Sequence, residues 1–252
     1  MTIPDAAKQP LLRSFHEKTV TPGWTFHGNG PDEKDRQLLV EYDVVVQEIN
    51  LLDGPTRAII VDICQKMQTG MADYAHTAAT SGSVYVETIK DYELYAHYVS
   101  GLVGEGVSRL FSATGMESPF IATRLDLANS MGLFLQKANI TRDFREDADE
   151  GRFFWPREIW GSDDLGGPAF KEMAEMYEEG RQPQALWVLS AMVVDALQHA
   201  EECLEYLSLI NNQSVFNFCA FPQVMAIATQ ELLFMNPLVF CQSVKIRKAQ
   251  AA

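Results

Sequence analysis

One stretch constrains this chain more than any other: Ala128 to Arg152, ANSMGLFLQKANITRDFREDADEGR. It starts as an apolar helix in which Met131, Leu133, Phe134, Leu135, Ala138 and Ile140 would fill a core. A polar stripe runs through it. Gln136, Asn139, Asp143 and Asp147 are spaced by three, four and four residues. At 3.6 residues per turn they lie within roughly 80° of one another on the helix surface. Two carboxylates one turn apart, continued by carboxamides along the same face, make an oxygen-rich site for a hard cation. Mg²⁺ takes such ligands, keeps several waters and is commonly shared with substrate phosphates. Arg142, Arg145 and Arg152 lie beside the stripe, and their forked guanidinium groups suit phosphate oxygens. The same spacing occurs on solvated acidic helix ends. The apolar residues ahead of the stripe favour a buried helix, but spacing alone leaves both readings open.

The rest of the chain reads as helices separated by turn signals. Residues 1–35 are punctuated by Pro and Gly, with a helical run near Leu11–Lys18. Helices are expected over 35–52, 56–79, 91–111, 125–147, 170–180, 183–210 and 215–235. Gly54-Pro55 breaks the first of these from the second, and Asn211-Asn212-Gln213-Ser214 caps the last. Asn236-Pro237 turns the chain into a short final helix ending in Lys245-Ile246-Arg247-Lys248. Residues 151–167 form a loop rich in aromatic residues and proline. With no strand run and no repeat, the architecture is all-α, with many helices enclosing a common centre.

Net charge is −14, which argues against a nucleic-acid surface and suits a protein that collects Mg²⁺. The four cysteines show no C-x-x-C pattern and read as core residues in a reducing compartment. The five histidines show no zinc spacing. No signal peptide opens the chain and no stretch reaches the length of a membrane span, so it reads as soluble as given.

A second constellation is YAHYVSGLVGEGVSRLF, Tyr95 to Phe111. Val99, Leu102, Val103 and Leu110 are apolar, while Gly101, Gly104 and Gly106 strip side chains from a helix interior. Each glycine costs roughly 1 kcal/mol against alanine. Close helix packing explains that expense; so does a long, thin apolar ligand lying against bare backbone. Tyr95 is a core residue with a bonded hydroxyl, or an acid/base group if it faces the cation site.

Together, YAHYVSGLVGEGVSRLFS, ANSMGLFLQKANITRDFREDADEGRFFWPREIW, LSLINNQSVFNFCAFPQVMAIAT and VKIRK resemble the eukaryotic squalene synthases, from about Pro10 to Lys248. Phytoene and dehydrosqualene synthases share the fold but lack much of this wording, notably NQSVFNFCA and VKIRK. The resemblance implies a single all-α domain over 1–252, of the isoprenoid synthase type, built around a central cavity. It implies head-to-head condensation of two farnesyl diphosphates to presqualene diphosphate, followed by NADPH-dependent reduction to squalene, a transferase step of isoprenoid and sterol biosynthesis. Asp143 and Asp147 match the second aspartate-rich motif, which holds Mg²⁺ on a diphosphate, and Glu146 belongs to the same motif. Arg142 and Arg152 match basic residues near the diphosphates. Tyr95 matches the tyrosine that handles the proton and steadies a carbocation through its ring. Gln136 and Asn139 match polar cavity residues; Val99, Val103, Phe218, Cys219 and Pro222 match its apolar wall. Lys245 and Arg247, with Asn139, match positions at the NADPH. From the residues alone, Lys245 to Lys248 is only a basic helix end.

The family has two aspartate-rich motifs facing each other across the cavity, and this chain shows one. The first, of D-x-x-E-D type, would fall just before residues 1–12, so Met1 reads as an internal methionine. The upstream helices and the C-terminal membrane anchor are expected to be missing, the chain being a fragment that folds poorly and is inactive alone. The full-length parent would be a monomer anchored at the cytosolic face of the endoplasmic reticulum membrane. Two other readings are a head-to-head prenyl synthase that stops without reduction and a non-catalytic helical protein that binds a prenyl chain or a partner.

Overall fold

A computed structural model describes residues 3–163 and 169–247. Helices α1 (Asp5–Arg13), α2 (Phe15–Lys18), α3 (Arg36–Val40) and α4 (Tyr42–Leu51) lead into the long α5 (Gly54–Ser81). Strand β1 (Val84–Tyr85) precedes α6 (Ile89–Ala96), a π-turn at His97–Gly101 and α7 (Leu102–Ala113). Then come α8 (Leu125–Arg142), α9 (Phe144–Asp149), β2 (Arg152–Phe153) and α10 (Arg157–Trp160). The chain ends with α11 (Gln182–Leu197), α12 (Ala200–Ser208), α13 (Gln213–Leu233) and a 3₁₀ turn at Pro237–Phe240.

The ends of these helices follow from local chemistry. Asp53 caps α5 by accepting from the Thr56 N–H at 2.8 Å, Pro55 occupies its first turn, and Gly82 closes it at φ 77°. Thr88 and Asp91 form a capping box on α6. Asn212 accepts from the N–H groups of Ser214 and Val215 at the start of α13.

Helix α8 is the hub. Most of its residues are buried, and it packs against the π-turn, α7, α11, α12 and α13. One apolar cluster gathers Phe134, Met131, Ala138, Tyr206, Val215 and Cys219 around it. A second joins Tyr92, Phe144, Trp155, Leu189, Phe240 and Val244 beyond its C-terminal end.

Several expected helices are divided. The 35–52 helix breaks at Glu41, the 183–210 helix turns at Gln198-His199, and 91–111 carries the π-turn. Residues 170–180 form only a 3₁₀ turn at Met173–Tyr177. Residues 241–247 are irregular, so Lys245 and Arg247 do not end a helix; Lys248 and the loop residues 164–167 lie outside the described residues. A two-stranded parallel pair, Val84 with Arg152 and Tyr85 with Phe153, stands where no strand was expected. Two residues per strand are too few to carry an alternating pattern.

The most consequential break is at Asp143, between α8 and α9. The hydrogen-bond ladder survives it. The Asp143 N–H donates to the Asn139 carbonyl, and the Asp147 N–H to the Asp143 carbonyl, both at 2.9 Å. The break is therefore a kink that keeps register, and Asn139, Asp143 and Asp147 stay stacked one above another.

Candidate active site

The kinked stripe lines one pocket. Gln136, Asn139, Asp143 and Asp147 meet there with Tyr95, Arg152, Ile140 and Phe154 around a cavity of about 250 Å³. Arg152 arrives on β2 and Phe154 immediately after it. Phe154 escaped the sequence reading, which saw the aromatic loop but had no signal for which ring turns inward.

The two carboxylates differ in electrostatic setting. Burial raises the Asp143 pKa, but the neighbouring Arg142 guanidinium, a hydrogen bond from Ser243 and the Lys245 charge outweigh it, leaving a net lowering. Arg142 Nε donates to Asp143 Oδ1 at 2.8 Å and Ser243 Oγ to the same oxygen at 3.0 Å. At Asp147 burial wins. Arg152 pairs with it through Nε at 3.1 Å and Nη2 at 2.7 Å, yet desolvation and the charges of Asp143 and Glu150 raise its pKa. The pocket therefore holds a carboxylate whose surroundings disfavour its charge, and a bound cation would correct that imbalance.

Tyr95 stacks on Phe154 at 4.7 Å between centroids and meets Tyr74 edge-on at 4.9 Å. Burial, with the nearby Asp147 charge, pushes its phenol up to about 12. Glu146 faces away from the pocket, its side chain 56% exposed, and lies 3.8 Å from the exposed Lys245 Nζ. Among the described residues no group of three His, Cys, Asp or Glu side chains is gathered for a metal ion. The donors on this wall are Asp143 and Asp147, oxygen ligands of the kind Mg²⁺ uses together with water and substrate phosphate. The set fits that ion as one half of a shared site.

Two more cavities neighbour this polar pocket along α8. A second cavity, lined by Asn139, Arg142, Leu135 and Pro222, shares Asn139 with the polar pocket. It shares Leu135 and Pro222 with a third, apolar cavity of about 190 Å³. Val103, Gly104, Met131, Gly132, Phe218 and Cys219 line that third cavity. Val99, in the π-turn, is half-buried and is not part of its lining. Arg145 turns elsewhere and stacks over the Tyr177 ring. Arg247 is exposed, and neither it nor Lys245 lines the polar pocket.

The glycines serve packing first. A Cβ on Gly104 would meet the Ala128 carbonyl oxygen at 2.3 Å, one on Gly132 the Ser100 carbonyl at 2.5 Å, and one on Gly106 the Ile63 side chain at 2.9 Å. Gly104 and Gly132 also border the apolar cavity, so at these two positions the close approach of α7 and α8 and the bare groove wall have one cause.

A family model for squalene/phytoene synthase matches residues 1–250. The chain is 58% identical to the squalene synthase of Ganoderma lucidum, an alignment covering 100% of this chain and 55% of that protein. It is 50% identical to the squalene synthase of Schizosaccharomyces pombe, covering 100% and 53%. The chain thus spans about half the length of the curated relatives it matches. A solved complex of TcSQS with the ligand E5700 superposes with a TM-score of 0.90 at 40% identity, covering 100% of this chain and 70% of that one.

Proposed function

The chain belongs to the squalene/phytoene synthase family, and from that premise we propose that it carries the joining of two farnesyl diphosphates to presqualene diphosphate and the reduction of that intermediate to squalene. One observation carries the reading: the succession of three neighbouring cavities along α8, from an apolar one to a pocket of carboxylates and a guanidinium group. A prenyl diphosphate has the same polarity, an apolar chain ending in a doubly charged head.

In this reading the apolar wall of Val103, Phe218, Cys219 and Pro222 takes the prenyl chain. Asp143 and Asp147 hold Mg²⁺, and Arg142 and Arg152 bind phosphate oxygens; Glu146, turned from the pocket toward Lys245, is left outside the metal site. Gln136 and Asn139 orient the diphosphate end. Tyr95 keeps its proton at neutral pH, because its pKa stands near 12. Its hydroxyl therefore donates, and its ring presents a π-face to developing positive charge. Lys245 and Arg247 take the phosphates of NADPH. When bound, Mg²⁺ stabilises charge on the departing diphosphate oxygens and NADPH supplies hydride. The whole protein works as a monomer at the cytosolic face of the endoplasmic reticulum membrane. Among the described residues no helix is long and apolar enough to cross that membrane.

The test is product analysis on the full-length parent with labelled farnesyl diphosphate and Mg²⁺, with and without NADPH. Presqualene diphosphate without NADPH and squalene with it are expected. A hydrocarbon that forms regardless of NADPH would replace this reading by the non-reducing one. Prenyl binding that ignores Mg²⁺ and yields no product would leave a non-catalytic binder.

A further inference from the structure

Asp143 is gripped from two directions that differ in kind. Arg142 is its chain neighbour, so the guanidinium fork moves with the carboxylate and cannot anchor it to the rest of the fold. Ser243 comes from a distant segment, and its hydroxyl donates to Oδ1 at 3.0 Å. That hydrogen bond ties the carboxylate to a separately packed part of the protein.

The segment bearing Ser243 is itself held firmly. Val239, Phe240 and Val244 are buried in the apolar cluster around Trp155. The Phe240 ring meets Phe144 edge-on at 5.4 Å and Trp155 at 6.2 Å. Phe144 directly follows Asp143, so two adjacent residues of the kink are gripped by one short stretch, 240–243. Burial then alternates along the irregular chain, with Ser243 half-buried, Val244 buried and Lys245 exposed. This sends Ser243 and Lys245 to one side, where they meet Asp143 and Glu146.

We propose that Ser243 is a positioning residue that fixes the Asp143 carboxylate for the metal and couples it to the basic segment 243–247. The proposal rests on Asp143 being a metal ligand. The Ser243 hydroxyl occupies one lone pair of Oδ1 and sets the carboxylate plane before a cation arrives, so the ion need not order that side chain.

The probe is Mn²⁺, a paramagnetic stand-in for Mg²⁺, titrated into the purified protein and followed by electron paramagnetic resonance. Ser243→Ala is expected to weaken Mn²⁺ binding about tenfold, the lower end of what outer partners of metal ligands contribute. Ser243→Thr keeps the hydroxyl and is expected to restore affinity to within about twofold. Ser243→Cys, close to isosteric and a weak donor, should lose affinity as alanine does while keeping the fold, so a misfolded alanine variant would not decide the matter. Thermal midpoints of all three should stay close to the parent's. Parental affinity in both Ser243→Ala and Ser243→Cys would overturn the proposal. Equal Mn²⁺ binding by the parent and Asp143→Asn would instead show that Asp143 is no ligand, and the role given to Ser243 would fall with that reading.

Discussion

Lys137 Nζ lies 2.9 Å from Asp195 Oδ2, with the two side chains 1% and 8% exposed. The contact is an ion pair without hydrogen-bond alignment. The ammonium also donates to Glu93 Oε1 at 3.2 Å and faces the Tyr92 ring at 5.3 Å. Lys137 directly follows Gln136 on α8, so this contact locks the helix to α11 and α6 and fixes which face the stripe presents. Lys137→Met leaves Asp195 buried without its cation and should cost about 3–5 kcal/mol. Adding Asp195→Leu should recover most of that loss. Urea unfolding of the two single variants and the double variant measures both.

The two stripe carboxylates should respond oppositely in stability and alike in function. The fold favours the charge of Asp143 and disfavours that of Asp147. Asp143→Asn should therefore lower the thermal midpoint slightly and Asp147→Asn should raise it, each by less than about 1 kcal/mol because both groups keep some solvent. In the full-length parent, either variant should abolish Mg²⁺-dependent diphosphate binding and with it lower the rate by about a hundredfold or more. Differential scanning fluorimetry and labelled-substrate binding check the two signs.

Tyr95→Phe keeps the ring that stacks on Phe154 and removes only the hydroxyl. Prenyl diphosphate binding should stay within about twofold, since the chain pocket and carboxylates are untouched. Presqualene diphosphate formation should collapse. Product formed at the parental rate would remove this hydroxyl from the chemistry.

Acid sensitivity should centre on His199. Burial lowers its pKa below 6.5, followed by the Lys137 charge, while Glu93, Asp195 and Glu202 pull the other way. The unfolded chain then binds a proton that the folded one refuses. Stability from this group is complete above pH 6.5 and falls as pH drops through 6.5 toward the depressed folded value. The slope is at most about 1.4 kcal/mol per pH unit. His199→Gln should flatten the thermal midpoint over that interval.

Lys245→Ala with Arg247→Ala should separate the two half-reactions. Both residues lie outside the polar pocket, so presqualene diphosphate should still form. Squalene should not, because in the proposed reading these two residues hold the reductant's phosphates. Chromatographic analysis of products at saturating NADPH distinguishes the cases.

Much of this arrangement was legible in the residues. The three-four-four spacing of Gln136, Asn139, Asp143 and Asp147 survives the kink because the backbone ladder does, so a helix drawn straight through gave the correct facing. The kink itself had no signal; Asp143 suits a cap, but nothing marked it apart from other polar positions. Lys137 sat in plain view amid apolar neighbours, yet its partner Asp195 lies on another helix and no local pattern links them. Ser243 was invisible for the same reason. The segment of Lys245 and Arg247 was expected to be helical, whereas it runs irregularly past the 3₁₀ turn, with Val239, Phe240 and Val244 buried in the apolar cluster.

The parallel pairing of Val84 with Arg152 and of Tyr85 with Phe153 bears on how the pocket comes into being. A parallel pair cannot be closed by a tight turn. Here α6, α7, α8 and α9 all lie between its strands along the chain. Such a non-local pairing carries a larger loop-closure cost than the contacts within each helix. The strand that pairs over this long separation carries Arg152, the counter-charge of Asp147. The charge balance around Asp147 thus sits beside a pairing of segments far apart in the chain, which ties the electrostatics of the pocket to the closure of the whole fold.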